Sequence, residues 1–360
     1  MSRFLAQRYA SLTAYTPGEQ PTDMKYIKLN TNESPFPPSP AVIDAISENR
    51  VRELRLYPDP DCGALRKAIA DLFGFEKENI FVSNGSDDIL NFSFMAFCDG
   101  KTCGAAFPAI SYGFYKVYAD LYGVDALAIP LAEDFSVRAE DYFGIGRTVV
   151  IANPNAPTGI ALPKSKIEEI LSTNPDNLVV IDEAYVDFGA ESCVELVQKY
   201  DNLLVVRTFS KSYSLAGGRL GFAIGSKAII EDLNKIKYST NPYNINRLSL
   251  LAGTAAIAEN DYYMANCRKI MENRAYTTDA LRALGFAVLP SSANFIFAES
   301  PEIDGGELYL ELKRRGILIR HFTTESIKNF NRITIGTREE METLVATVET
   351  ILKERRGSVQ

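Results

Sequence analysis

The sequence predicts an α/β protein: a mostly parallel central sheet with helices on both faces, followed by a smaller C-terminal α/β domain. Three observations carry this reading. Short β-branched runs alternate with helical stretches between about residues 42 and 280. Those runs are continuously apolar, the pattern of strands buried on both faces. After about residue 260 the pattern changes to one long helix followed by several short strands and helices.

The elements follow in order. Residues 1–40 hold Pro17, Pro21, Pro35, Pro37, Pro38 and Pro40 and read as an arm and loop, because proline fixes φ and removes a backbone donor. The strand candidates of the first part are Ile80–Ser83, Thr148–Ala152, Leu178–Ile181, Leu203–Val206 and Gly221–Ile224. Several end at a polar or glycine-containing turn. The later part predicts a helix over Tyr262–Leu284, strands at Ala287–Leu289 and Asn294–Phe297, and a helix over Gly306–Arg315. Strands at Ile317–Arg320 and Arg332–Ile335 and a helix over Glu339–Lys353 complete it. The expected division is an arm and part of the small domain at 1–40, a large domain at 41–260 and a small domain at 261–360. A chain of 360 residues is long enough for two such cores.

Composition narrows the function. The net charge of −8 argues against a general nucleic-acid surface and makes local arginines informative. The five cysteines, Cys62, Cys98, Cys103, Cys193 and Cys267, form no C-x-x-C pair, which fits a reducing, cytoplasmic compartment. With His321 as the one histidine, a histidine-based zinc site and a Ser-His-Asp triad are disfavoured. No apolar run approaches the ~18 residues of a membrane span, and Met1–Ala6 lacks a full signal-peptide core. G-x-G-x-x-G and the P-loop pattern are both absent.

The chemistry gathers where strands end, since ligands of open parallel sheets bind at the carboxyl ends of the strands. After Leu203–Val206 comes Thr208-Phe-Ser-Lys211, then Arg219 beyond a glycine pair. A deprotonated lysine amine can form a Schiff base with an aldehyde, and Thr208, Ser210 and Arg219 suit a phosphate. One small molecule carrying both groups is pyridoxal phosphate (PLP). Asp182 closes another strand, either as a helix cap or as partner to a protonated pyridine nitrogen. Ser83-Asn-Gly-Ser86-Asp87 leads into a helix, where Ser86 or Asp87 serves as a cap or the turn's N–H groups meet an anion. The loop Asn153-Pro-Asn155-Ala-Pro-Thr-Gly159 is a plain turn or places Asn155 on a phenolic oxygen. Tyr112 can stack on a planar ring.

Together with Asp182-Glu-Ala-Tyr185 and Leu29-Asn-Thr-Asn-Glu33, these motifs resemble fold-type I PLP-dependent aminotransferases. Within that superfamily the chain, from about residue 12 to 353, resembles the histidinol-phosphate aminotransferase family. The resemblance implies that Lys211 holds the cofactor as a Schiff base and shuttles the proton. Asp182 would pair with the pyridine nitrogen, and Tyr112 would stack on the ring. Tyr185 and Asn155 would contact its phenolic oxygen. Thr208, Ser210, Arg219, Ser86 and Asp87 would hold the phosphate. Tyr57 would reach the neighbouring site of a homodimer. The usual loop has asparagine where this chain has Ala156, so either Asn155 takes over that contact or Tyr185 carries it alone; Asn155 is the expectation.

For substrate, the resemblance places Arg332 on the α-carboxylate and Arg320 and Tyr15 near a distal phosphate or carboxylate. His321 reads as structural or peripheral. The implied reaction is transamination between L-histidinol phosphate and 2-oxoglutarate, giving imidazole acetol phosphate and glutamate, in histidine biosynthesis. Two rivals share the scaffold: an aromatic amino acid aminotransferase and a threonine-phosphate decarboxylase-like lyase. A PLP-binding transcription regulator would need a DNA-binding domain ahead of the first helix, where only about 40 residues stand.

Overall fold

The structure, a computed structural model, describes residues 3–100 and 102–357. Met1 and Ser2 of the N-terminal stretch read above lie outside the described residues. The chain forms β1 (Ile27–Lys28), α1 (Pro40–Ala45), α2 (Glu48–Val51), α3 (Gly63–Phe73), β2 (Ile80–Ser83), α4 (Ser86–Phe97), β3 (Ala105–Pro108), α5 (Phe114–Tyr122) and β4 (Ala126–Ile129). It continues through β5 (Thr148–Ala152), α6 (Lys164–Thr173), β6 (Val179–Asp182), β7 (Leu203–Thr208), β8 (Gly221–Gly225), α7 (Lys227–Thr240), α8 (Arg247–Ala258) and α9 (Asn260–Ala283). The remainder is β9 (Ala287–Val288), β10 (Phe295–Glu299), α10 (Gly305–Arg314), β11 (Ile317–Leu318), β12 (Arg320–His321), β13 (Asn331–Thr334) and α11 (Arg338–Gly357).

Seven strands make the large sheet in the order β2-β8-β7-β6-β5-β3-β4. Only β8 runs against its neighbours; the pairs among β4, β3, β5, β6 and β7 are parallel. Residues alternate between two cores as the pleat requires. Val179 and Ile181 of β6, with Leu203 and Val205 of β7, pack against α3, α6 and α8 on one face. Val180, Leu204 and Val206 pack against α4, α5 and α7 on the other. Each fully buried aliphatic side chain contributes about 1.5–3 kcal/mol over leaving it in water. The continuous apolar runs read from the sequence are therefore the strands with a core on both sides.

A four-stranded antiparallel sheet, β12-β13-β10-β9, shares a separate core with α9, α10 and α11. The N-terminal β1 pairs in parallel with β11, so the stretch read as irregular contributes a strand. The single strand expected at Ile317–Arg320 divides at Ile319: β11 faces β1 while β12 pairs with β13. β3 and β4 were not foreseen. β4 is an edge strand with three of its four residues exposed, so it carries no continuous apolar signal.

Register sets the site. Ala152, Asp182 and Val206 lie abreast at the carboxyl ends of β5, β6 and β7. Gly221 at the start of β8 lies opposite both Thr208 and Ser83. The turns after β2, β5, β6 and β7 thus share one rim. Among the described residues, no helix is long and apolar enough to cross a membrane, and no cluster of His, Cys, Asp or Glu is placed to hold a metal ion.

Candidate active site

Two adjoining hollows open at this rim and share Thr31, Asp87, Tyr112, Ala156, Tyr185, Lys211 and Arg219. The first adds Ser86, Asp182, Thr208 and Ser210. The second adds Tyr15, Arg320 and Arg332. All the sequence-derived candidates line one or both, apart from Asn155 and Tyr57.

Lys211 stands just past β7, where buried Phe209 anchors the chain and Ser210 donates its N–H to Thr208 Oγ1 at 3.1 Å. Its Nζ donates to the Thr31 carbonyl at 3.0 Å. Loss of hydration, aided by the Arg332 guanidinium, lowers its pKa to about 8. A good fraction of the amine is therefore neutral near physiological pH, which a nucleophile or base requires.

Asp182 ends β6 fully buried. It accepts Tyr115 Oη at 2.9 Å and the Ala184 N–H at 3.2 Å. Burial pushes its pKa up to about 6 although both bonds oppose the shift. Those donors are neutral, so a cation placed beside the carboxylate would be strongly favoured.

Along the wall of the first hollow, β2 turns into α4. Gly85 has φ +88, and a Cβ there would come within 2.8 Å of Arg219 Nη2. A Cβ on Gly221 would meet the Ser86 nitrogen at 2.4 Å. These two glycines let Arg219 and the start of α4 close on one spot, where backbone N–H groups and the helix dipole favour an anion. The cap position of α4 is Gly85, not Ser86 or Asp87. The carboxylate that reaches back over the turn is that of Asp88, on Ser83 Oγ at 2.5 Å and the Asn84 N–H at 3.3 Å. Asp87 instead joins Tyr112 Oη at 2.6 Å to Arg219 Nη2 at 3.2 Å, and Arg219 Nη1 lies 3.5 Å from Ser210 Oγ.

Two candidates stand elsewhere. Asn155 is buried in its own loop: its Oδ1 accepts Ser111 Oγ at 2.8 Å, and its Nδ2 donates to the Ile110 carbonyl at 3.0 Å and to Thr158 Oγ1 at 3.2 Å. Against the expectation for Asn155, it is Ala156 that lines both hollows, while the amide of Asn155 holds the loop. Tyr57 is 78% exposed and stacks on Tyr243 with centroids 4.7 Å apart.

In the second hollow, Arg332 Nη2 donates to the Asn30 carbonyl at 3.0 Å, while its buried Nε has no partner among the described residues. Burial lowers the pKa of this guanidinium. Arg320 makes two long contacts, 3.4 Å each, with the Thr16 and Pro17 carbonyls. Tyr15 stacks on Phe114 at 4.2 Å. His321 lies against the Tyr309 ring, 5.9 Å between centroids.

Sequence reasoning missed Tyr115 and gave Asn30, Thr31 and Asn32 no individual roles. Tyr115 comes from the face of α5 rather than from a strand end. The signal for the others was the Leu29–Glu33 motif itself, whose three middle residues each touch a candidate: Asn30 on Arg332, Thr31 on Lys211, Asn32 on Tyr185.

The family model "Aminotransferase class I and II" matches residues 24–348. The chain belongs to this class of enzymes. A histidinol-phosphate aminotransferase of Brachyspira hyodysenteriae is 51% identical over 98% of this chain and all of its own length. One of Marinomonas sp. is 50% identical over 98% of this chain and 100% of that one. The chain belongs to the histidinol-phosphate aminotransferase family. A solved structure of that enzyme from Sinorhizobium meliloti, in complex with pyridoxal-5′-phosphate, superposes with a TM-score of 0.83 at 25% identity, covering 92% of each chain.

The donor set fits PLP. A depressed lysine, a buried carboxylate in want of a cation and a helix N-terminus with an arginine occupy separate parts of one hollow. These are the groups that an aldehyde, a pyridine nitrogen and a phosphate call for.

Proposed function

We propose that this protein moves an amino group between L-histidinol phosphate and 2-oxoglutarate, producing imidazole acetol phosphate and glutamate for histidine biosynthesis. The observation that carries this reading is the pairing of Arg332 and Arg320 in a hollow that also contains the Lys211 amine. Glutamate and 2-oxoglutarate carry a carboxylate at each end and histidinol phosphate carries a phosphate ester, so two guanidiniums suit both substrates. Histidinol phosphate carries a phosphate-bearing CH2 where glutamate carries its α-carboxylate, so Arg332 must serve a carboxylate from one substrate and leave room for the phosphate ester of the other.

When bound, PLP supplies the electron sink that stabilises negative charge at the substrate Cα. The chain supplies the rest. Lys211 Nζ, neutral above about pH 8, would take the substrate Cα proton as a base and give it back as an acid on the far side of the amino nitrogen. Asp182, oriented by Tyr115, would hold the pyridine nitrogen protonated. Arg219, Ser210, Thr208 and the first turn of α4 at Ser86 and Asp87 would hold the phosphate, and Tyr112 would cover the ring. Tyr185 would hydrogen-bond the phenolic oxygen. Tyr15 would close the distal end beside Arg320.

The reading includes a cytoplasmic homodimer with Tyr57 serving the neighbouring subunit. Tyr57, Ile43, Leu54 and Leu56 are exposed apolar side chains on α1 and the turns that follow it, which supports a second copy covering them. Five free thiols support a reducing compartment. It also includes a large PLP-binding domain at 41–260 and a small one at 261–360, with the 1–40 arm joining the latter through β1. The separate core of the four-stranded sheet supports that division.

The near-full-length identity to histidinol-phosphate aminotransferases favours transamination over the threonine-phosphate decarboxylase-like alternative. The test is the amino-donor spectrum of the purified, PLP-loaded protein. Histidinol phosphate should exceed phenylalanine clearly in kcat/KM. A preference for phenylalanine would point to the aromatic aminotransferase, and carbon dioxide release from threonine phosphate to the lyase.

A further inference from the structure

Asn32 is buried at φ +57, a backbone state that asparagine tolerates and glycine prefers. Four hydrogen bonds fix it. Its N–H donates to Thr334 Oγ1 at 2.9 Å, and that hydroxyl donates back to Asn32 Oδ1 at 2.9 Å. Its carbonyl accepts Asn294 Nδ2 at 2.9 Å. With Oδ1 engaged by Thr334, the amide nitrogen faces the other way and donates to Tyr185 Oη at 3.0 Å.

This last bond has a direction. An amide nitrogen can only donate, so the Tyr185 oxygen is the acceptor and its own proton must go elsewhere. Tyr185 lines both hollows beside Ala156, at the position where related loops place a donating asparagine. We propose that Asn32 is a positioning residue: by donating to Tyr185 it aims the phenol proton into the hollow, supplying the hydrogen bond to the cofactor's phenolic oxygen that Ala156 cannot make. The inference rests on the assignment of the hollow to PLP.

The test reads the pH titration of the visible absorbance of bound PLP. A donor to the ring oxygen stabilises its negative charge, so losing that donor holds the neighbouring proton to higher pH. Asn32→Gly removes the amide without adding charge or straining the positive φ. It should raise the titration midpoint by about half a unit to one unit. Tyr185→Phe should raise it by at least as much, and Asn32→Gly should add nothing in the Tyr185→Phe background. Lys211 and Arg332 are untouched in all three proteins. An unchanged midpoint in Asn32→Gly, or an equal shift with and without the phenol, overturns the proposal. Should Asn32→Gly not fold, Thr334→Val frees the Asn32 amide to turn and carries the same test with the same outcomes. The underlying assignment fails differently: it fails if Lys211→Ala still shows the titrating absorbance.

Discussion

The two hollows differ in how finished they are. In the first, the wall is bonded together before any ligand is considered: Tyr115 holds Asp182, the Ser210 N–H holds Thr208 Oγ1, and on the edge it shares with the second, Tyr112 and Arg219 both hold Asp87. In the second, Arg332 keeps a buried donor unmatched and Arg320 rests on two weak contacts with the arm. A pre-bonded wall suits one molecule that stays, because its geometry is paid in advance. A loosely held pair of guanidiniums suits two substrates with unlike tails. Rigidity belongs to the cofactor side and adaptability to the substrate side.

Substitutions can break that contrast. The largest expected effect is that of Lys211→Ala, which removes nucleophile and base together and should lower transamination by roughly 10³-fold or more. Steady-state rates check this, and a thermal melt should show no loss of stability since a poorly hydrated amine is gone. Next, Arg332→Gln should lower kcat/KM about 10²-fold for glutamate, the loss of a charge-assisted pair. Arg320→Gln should cost about tenfold and unequally for glutamate and histidinol phosphate, because only two long contacts with the arm hold it. Equal losses for both substrates would refute the adaptable reading of that wall.

Smaller effects sharpen the cofactor side. Tyr115→Phe removes one bond to Asp182, which should raise the pKa of that carboxyl further and weaken PLP binding about fivefold, equivalent to about 1 kcal/mol. Equilibrium dialysis of the apo-protein with PLP measures it. Finally, PLP uptake should accelerate with rising pH, reach half its maximum near pH 8 and level off above that. Below that value the Lys211 amine is protonated, and above it neutral and nucleophilic. Because Arg332 helps to depress this pKa, the plateau should move to higher pH in Arg332→Gln. Stopped-flow absorbance gives the profile.

Most of the large sheet was legible because β5, β6 and β7 are apolar on both faces and announce themselves as runs. The exposed edge strand β4 has no such run. Lys211, Asp182, Ser86 and Arg219 were legible for a related reason: a strand end followed by polar residues is a local signal. Tyr115 and Asn32 were not, because their partners lie 67 and 153 residues away and no local pattern marks them. Asn155 is the opposite case. Its motif was local and correct, yet its amide was needed by the loop that carries it.

The Leu29–Glu33 segment has a consequence for how the enzyme is made. It leaves the ribosome early, but its partner Lys211 follows 180 residues later and Arg332 302 residues after Asn30. The sheet rim can form while synthesis continues, but the wall built from residues 30–32 cannot close until β13 has emerged. Contacts of such long range are slow to form and leave their groups waiting in solvent. A nascent chain carries Lys211 without its full surroundings, so a mature site is a property of the released polypeptide.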